Sequence, residues 1–397
     1  MELSQRVQSI KESPTLAVTA RAAKLKAEGR DIIGLGAGEP DFDTPQHIKD
    51  AAKKAIDQGF TKYTPVAGIP GLKKAIVAKF KNENGFDYND KEVIVGVGGK
   101  QCIFNLALAV LNPGDEVIVP APYWVSYADI ALVAGAKPII VECGIEQGFK
   151  LTPAQLEAAI TPKTKLFMIN SPSNPTGAVY TLQELAALGE VLKKHPHVLV
   201  ATDDMYEHVN LTGDKFYNIL NATPELKERC IVLNGVSKAY SMTGWRIGYA
   251  AGPAKIIKAM EILQSQSTSN PTSISQVAAQ AALEGPQECI TPMLDAFRER
   301  HEYVVNRFNQ MQGLKCIKAG GAFYAFPDAR TAIANLFAAG KIKETNDLAL
   351  SEYLLEQEGV AVVPGSAFGA EGYFRISFAT SMDNLRNALD RIEKALA

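Results

Sequence analysis

The sequence predicts an α/β fold: a largely parallel sheet flanked by helices, followed by a smaller α/β domain. Three observations lead there. Short β-rich apolar runs alternate with helical patterns through the middle of the chain, as in a parallel sheet whose crossovers are helices. At 397 residues, 47% of them hydrophobic, the chain exceeds what one core usually supports. Around residue 286 the alternation gives way to one long amphipathic stretch.

Taken in order, the N-terminal MELSQRVQSIKESP has no apolar core of signal-peptide length. The predicted strands are EVIVGV (92–97), EVIVPA (116–121), KLFMIN (165–170), HVLVATD (197–203) and CIVLNGV (230–236). Between them lie helical segments such as Gln101 to Leu111 and Thr181 to Lys194, the second opening with Thr181 and Glu184 in capping-box spacing. From Ile290 onward, Met293, Leu294, Phe297, Val304, Val305, Phe308 and Met311 recur at helical spacing, which predicts a long amphipathic helix leading into the second domain. The chain closes with a strand-like FRISFA (374–379) and an amphipathic helix from Asp383 to the end.

Composition removes several functional classes. A net charge of −2 gives no basic excess for nucleic acid and no acidic tail. Five cysteines (Cys102, Cys143, Cys230, Cys289 and Cys316) are odd in number, scattered and never in CxxC spacing, which argues for reduced thiols in a cytoplasm. The longest uncharged stretch, 262–283, is rich in Ser, Thr, Gln and Asn and contains Pro271, so no membrane span is expected. His47, His195, His197, His208 and His301 show no metal-binding spacing, and no metal is expected.

Ligands of open α/β sheets bind beyond the carboxyl ends of the strands, so the residues there carry the functional reading. They are Gly98-Gly99-Lys100-Gln101 at a helix start, Pro122-Tyr123-Trp124, NSPSNPTG (170–177), Asp203-Asp204-Met205-Tyr206, and Ser237-Lys238 with Arg246 eight positions on. Each has an ordinary structural use when taken singly: a solvated loop lysine, capping aspartates, an Asn-Pro turn. Together they supply an amine, a carboxylate with a phenol three residues on, an amide, an aromatic plate, and a guanidinium near glycine-bounded amides. A lysine at the mouth of a buried strand loses solvation, so its pKa falls and the free amine can attack a carbonyl. The set matches what pyridoxal 5'-phosphate needs: a lysine for its aldehyde, a carboxylate for its pyridine nitrogen, donors for its ring hydroxyl and a cradle for its phosphate. Other phosphate and nucleophile motifs fail. Glu39 breaks a GxGxxG reading of 34–39, Ile94 and Gln101 break a Walker loop at Gly99-Lys100, and Ala239 breaks GxSxG around Ser237.

On these residues the chain resembles the fold-type I pyridoxal-phosphate aminotransferases of class I/II, most closely the bacterial-type (subgroup Ib) aspartate aminotransferases. The resemblance runs end to end through AGEPDFDTP (37–45), TKYTPVAGIPGL (61–72), VGGKQ (97–101), PYWVSY (122–127), NSPSNPTGAVY (170–180), DDMYEH (203–208), SKAYSMTGWRIGY (237–249) and RISFATS (375–381). It implies a mostly parallel seven-stranded sheet and three regions: an N-terminal arm with part of the small domain (1–45), a large cofactor-binding domain (46–285) and a small C-terminal domain (286–397).

The resemblance also implies roles. Lys238 forms a Schiff base with the cofactor and shuttles the substrate proton, Asp203 pairs with the pyridine nitrogen, and Tyr206 and Asn174 donate to the ring hydroxyl. Trp124 stacks on the ring. Arg246, Ser237 and the amides of Gly99, Lys100 and Gln101 hold the phosphate, and Tyr63 reaches the phosphate of a neighbouring subunit across an interface that Asn270 is also implied to cross, so that a homodimer shares its sites. Arg375 receives the substrate α-carboxylate with Gly38 beside it, and Lys100, helped by Ser13 and Thr15, receives the side-chain carboxylate. The implied reaction is ping-pong transamination between L-aspartate and 2-oxoglutarate through pyridoxamine phosphate, in a cytoplasmic enzyme. Prephenate or aromatic amino acids are the alternative substrates, and a pyridoxal-phosphate β-lyase a further one. A cofactor-sensing DNA regulator is disfavoured, because the roughly forty residues before AGEP carry no basic patch.

Overall fold

Seven strands form the central sheet: β1 (Val93–Gly96), β2 (Glu116–Ala121), β3 (Lys137–Glu142), β4 (Thr164–Asn170), β5 (Leu199–Asp203), β6 (Cys230–Gly235) and β7 (Gly248–Ala251). They are hydrogen-bonded in the order β1-β7-β6-β5-β4-β2-β3. Only β7 runs antiparallel to its neighbours, so the carboxyl ends of the other six lie on one side of the sheet. The computed structural model describes residues 2–10 and 14–397. All five predicted runs are strands. β3 and β7 were not predicted.

The apolar runs show no polar alternation because both faces of the sheet are covered. Successive side chains still point to opposite faces. Val93, Val95, Ile118, Phe167, Ile169, Val200 and Val232 pack into one core layer. Ile94, Val117, Val119, Leu166, Met168, Ile231 and Leu233 pack into the other. Each such side chain contributes roughly 1.5–3 kcal/mol on burial, and truncating one as large as Phe167 to alanine costs roughly 3–5 kcal/mol.

The helix Gly99–Val110 follows β1 and starts against the end of the sheet. Gly96, Gly248 and Gly235 form one rung across β1, β7 and β6. A Cβ on Gly248 would overlap the backbone of Gly98 and Gly99. The bare rung therefore lets the helix start, with Gly98 at φ 80°, come down onto the strand ends.

The predicted long helix spans Thr291–Gln310 and buries Met293, Phe297, Val304, Val305 and Phe308. Beyond it, Val363–Pro364, Phe374–Ser377 and Tyr324–Ala325 make a three-stranded antiparallel sheet in that order. The last helix, Met382–Leu396, packs through Leu385, Ala388, Leu389 and Ile392, and the Ser381 hydroxyl caps it by accepting from the Asn384 amide. Ile33–Gly34 pairs in parallel with Val360–Ala361, which ties the N-terminal segment to this C-terminal part. No helix among the described residues is long and apolar enough to cross a membrane.

Candidate functional site

A cavity of about 450 Å³ opens beyond the carboxyl ends of β1, β4, β5 and β6. Most of the residues expected at the site line it.

Lys238 lies three residues beyond β6, and its Nζ donates to the Gly38 carbonyl. Burial first, then the Arg375 charge, push its pKa down to about 8, with Glu39 pulling it back up, Arg246 lowering it further and Asp203 again opposing. Burial beside a second cation favours the neutral, nucleophilic form of an amine.

Asp203 ends β5 level with Asn170 of β4, whose Nδ2 donates to the Asp203 carbonyl at 2.8 Å. Its carboxylate accepts from the Tyr127 hydroxyl at 2.5 Å and from the Met205 amide at 3.2 Å. Burial raises its pKa above the ordinary aspartate value, against these two hydrogen bonds and the Lys238 charge. The adjacent Asp204 faces away from the cavity. It is fully buried and accepts from Thr202 Oγ1 at 2.6 Å and Asn218 Nδ2 at 2.7 Å, and burial pushes its pKa up to about 7. Consecutive residues at a strand end point to opposite faces, so only one of the pair reaches the cavity.

Arg375 enters from the strand Phe374–Ser377 and is 2% exposed. Its Nη1 donates to Asn174 Oδ1 at 2.8 Å, its Nη2 to the Gly36 carbonyl at 2.7 Å, and its Nε is buried with no partner among the described residues. The Tyr206 hydroxyl lies 2.8 Å from that of Tyr324, and burial raises the Tyr206 pKa.

The opposite corner is built for an anion. Gly99 and Lys100 begin a helix, whose first N–H groups have no intrahelical acceptors and carry the positive end of the dipole. Ser237 and the Arg246 side chain line the same corner. A Cβ on Gly98 would run into the Arg246 guanidinium, and one on Gly99 would come within 2.5 Å of Met205 Cε. Lys100 Nζ stands 5.0 Å over the Trp124 ring. Burial and the Arg246 charge lower the Lys100 pKa, against Asp129. Trp124 meets Tyr127 edge-on, with centroids 5.4 Å apart.

One expectation is not met within the cavity. The Gln101 side chain turns back to accept from the Val97 amide at 2.6 Å and donate to Thr268 Oγ1 at 2.6 Å, and its own amide is bonded to the Gly98 carbonyl. Tyr63 is 93% exposed, away from this chain's own cavity. Asn270, expected at the same interface, donates to the Pro271 carbonyl at 2.7 Å. Ser13 and the Thr15 side chain lie outside the described residues. Tyr127, Asn170 and Tyr324 belong to the site and were not singled out from sequence. Tyr127 had a signal, since it follows Trp124 within PYWVSY on the approach to a helix; Tyr324, in the apolar FYAF, had none.

A model described as aminotransferase class I and II matches residues 30–392. An aspartate/prephenate aminotransferase of Nitrosomonas europaea is 62% identical over 100% of both chains. An aspartate aminotransferase of Geobacillus stearothermophilus is 53% identical over 99% of this chain and 98% of its own. Among solved structures, the aspartate aminotransferase from Rhizobium meliloti superposes with a TM-score of 0.96 at 50% identity, covering 100% of this chain and 99% of that one. Thermus thermophilus aspartate aminotransferase with maleate superposes with a TM-score of 0.92 at 44% identity, covering 100% of both.

Proposed function

Because this chain belongs to the aminotransferase class I and II family, we propose that it is a pyridoxal 5'-phosphate-dependent aminotransferase that passes the amino group of L-aspartate to 2-oxoglutarate, giving oxaloacetate and L-glutamate. The observation that carries this reading is the buried Lys238 amine, held at about 8, in one cavity with the Asp203 carboxylate and the Arg375 guanidinium.

The residues present fit the cofactor. The cavity at about 450 Å³ is of ligand size. The glycine start of the helix leaves a hollow beside Arg246 that a side chain on Gly98 would fill. The buried Arg375 Nε has no acceptor among the described residues, which leaves a donor for the substrate carboxylate beside the cofactor. When bound, the cofactor supplies an aldehyde and a pyridinium ring that accepts electrons from the substrate.

This chain's residues then divide the work. Lys238, free of its proton at mildly alkaline pH, would hold the cofactor through its aldehyde and carry the substrate α-proton. Asp203, kept in place by Tyr127 and the Met205 amide, holds the proton on the ring nitrogen. Tyr206 and Asn174 donate to the ring hydroxyl. Ser237, Arg246 and the amides of Gly99 and Lys100 would hold the phosphate, and Trp124 would lie against the ring. The Arg375 fork takes the α-carboxylate in two-point geometry that lysine could not reproduce. Lys100 at the rim takes the second carboxylate.

The same reading includes a cytoplasmic homodimer, divided within each chain into 46–285 and 286–397 with the arm 1–45. Tyr63, far too exposed for a buried role in its own chain, supports a phosphate contact across subunits, and the exposed apolar Phe60, Phe104, Leu108 and Ile262 support an adjoining interface. Prephenate as a second amino acceptor is favoured by the relatives called aspartate/prephenate aminotransferase at 62% and 56% identity.

The test is a single turnover. Cofactor-loaded protein given L-aspartate alone should release about one oxaloacetate per site and lose its yellow colour. Release of fumarate and ammonia would overturn transamination in favour of elimination. Comparing kcat/KM for oxaloacetate, prephenate and phenylpyruvate as acceptors decides the second reading.

A further inference from the structure

We propose that Tyr324 is a positioning residue: its hydroxyl directs the Tyr206 proton into the cavity, and its ring ties that hydroxyl to the Arg375 guanidinium. The inference rests on the aminotransferase reading above and adds a link between the α-carboxylate fork and the donor to the cofactor's ring.

Tyr324 comes from the short strand Tyr324–Ala325 and pairs with Ser377, two residues along from Arg375. It is fully buried. Its hydroxyl is 2.8 Å from that of Tyr206, and the Arg375 guanidinium lies 4.4 Å from its ring centroid. A Cβ on Gly38 would sit 3.1 Å from the Tyr324 oxygen, so the hydroxyl also abuts the segment whose carbonyl receives the Lys238 amine.

Two hydroxyls in contact share one hydrogen bond, and the acceptor's own proton goes elsewhere. Either hydroxyl can serve as the donor, and both residues line the cavity, so the direction is set by the charge beside the pair. With Tyr324 donating, the Tyr206 proton is left for the cavity, which Tyr206 lines. The guanidinium over the Tyr324 ring favours this direction, because a cation on the ring face stabilises negative charge on the phenol and makes its proton the better donor. A donor chain of this kind strengthens its last bond. The remaining charged groups around the pair are Lys238, whose Nζ lies 5.7 Å from the Tyr206 ring, and Asp203. A carboxylate bound at Arg375 offsets the charge over Tyr324 and weakens the chain, so occupancy of the fork reaches Tyr206 by a route separate from the Arg375 to Asn174 hydrogen bond.

The experiment is a pH titration of the visible absorbance of cofactor-loaded protein. Tyr324→Phe keeps the ring on Arg375 and removes only the hydroxyl. The midpoint should rise by about half a unit, since a weaker Tyr206 donor stabilises the charged ring oxygen less. In a Tyr206→Phe background, which raises the midpoint by itself, Tyr324→Phe should add nothing. Maleate should shift the midpoint less in Tyr324→Phe than in wild type. An unmoved midpoint, or equal shifts with and without the Tyr206 hydroxyl, overturns the proposal while leaving the aminotransferase reading intact. A wild-type protein that gives no pH-dependent band with pyridoxal phosphate overturns both.

Discussion

Replacing Arg375 by lysine keeps a positive charge while removing the fork that carries it. The guanidinium lies between the Tyr324 ring at 4.4 Å and the Phe368 ring at 4.9 Å, and two of its nitrogens are committed to Asn174 and Gly36. A lysine in the same slot can present one donor direction to a carboxylate where the guanidinium presents two. The lost charge-assisted hydrogen bond is worth about 1.5–3 kcal/mol. That corresponds to a fall in kcat/KM of about 10- to 150-fold. The assay is steady-state kinetics with 2-oxoglutarate as acceptor and L-aspartate or L-alanine as donor. Both donors carry the α-carboxylate, so the loss should be similar for the two. Unchanged kcat/KM, or a loss confined to aspartate, would refute the assignment.

Lys100→Ala should show the complementary pattern, raising KM for aspartate roughly tenfold and leaving that for alanine nearly unchanged; equal effects on both would contradict a distal carboxylate at Lys100. For Lys238, the folded pKa of about 8 lies below the unfolded value of about 10.4, so between these the unfolded chain binds a proton that the folded chain has released. Cofactor-free protein should therefore gain stability as pH rises through that window, and its melting curve should approach that of Lys238→Met near its upper end; a constant offset would contradict the buried amine. Gly98→Ala places a Cβ against Arg246 at a φ of 80°. With strain of roughly 1–3 kcal/mol, it should weaken cofactor affinity roughly 5- to 150-fold in an equilibrium titration, and unchanged affinity would remove that corner as the phosphate site.

The strands that were legible in sequence are those buried on both faces, because continuous Val, Ile and Leu is a strong signal. β3 is the sheet edge, with Lys137, Ile140 and Glu142 exposed, and its pattern is correspondingly diluted. β7 is Gly-Tyr-Ala-Ala, whose small residues are dictated by the closeness of its neighbours and not by strand propensity. The capping box at Thr181 and Glu184 is present with both bonds made, since it depends on residues three apart.

The site was legible where it follows strand ends in sequence. The Gln101 amide, expected on the phosphate with those of Gly99 and Lys100, closes a turn onto the Gly98 carbonyl instead, a choice that the pattern of a glycine-rich helix start does not reveal. Tyr127 and Tyr324 touch Asp203 and Tyr206 across 76 and 118 residues of chain. No local pattern encodes contacts of that span. Only packing of the three-stranded sheet against the strand ends brings Tyr324 to its partner.

The central claim, that the Lys238 amine carries the cofactor, is tested most directly by borohydride reduction of cofactor-loaded protein followed by peptide mapping. A single modified peptide containing Lys238 is the predicted result. Labelling of Lys100, the other lysine lining the cavity, or of any lysine outside it, or no stable label at all, would contradict the account.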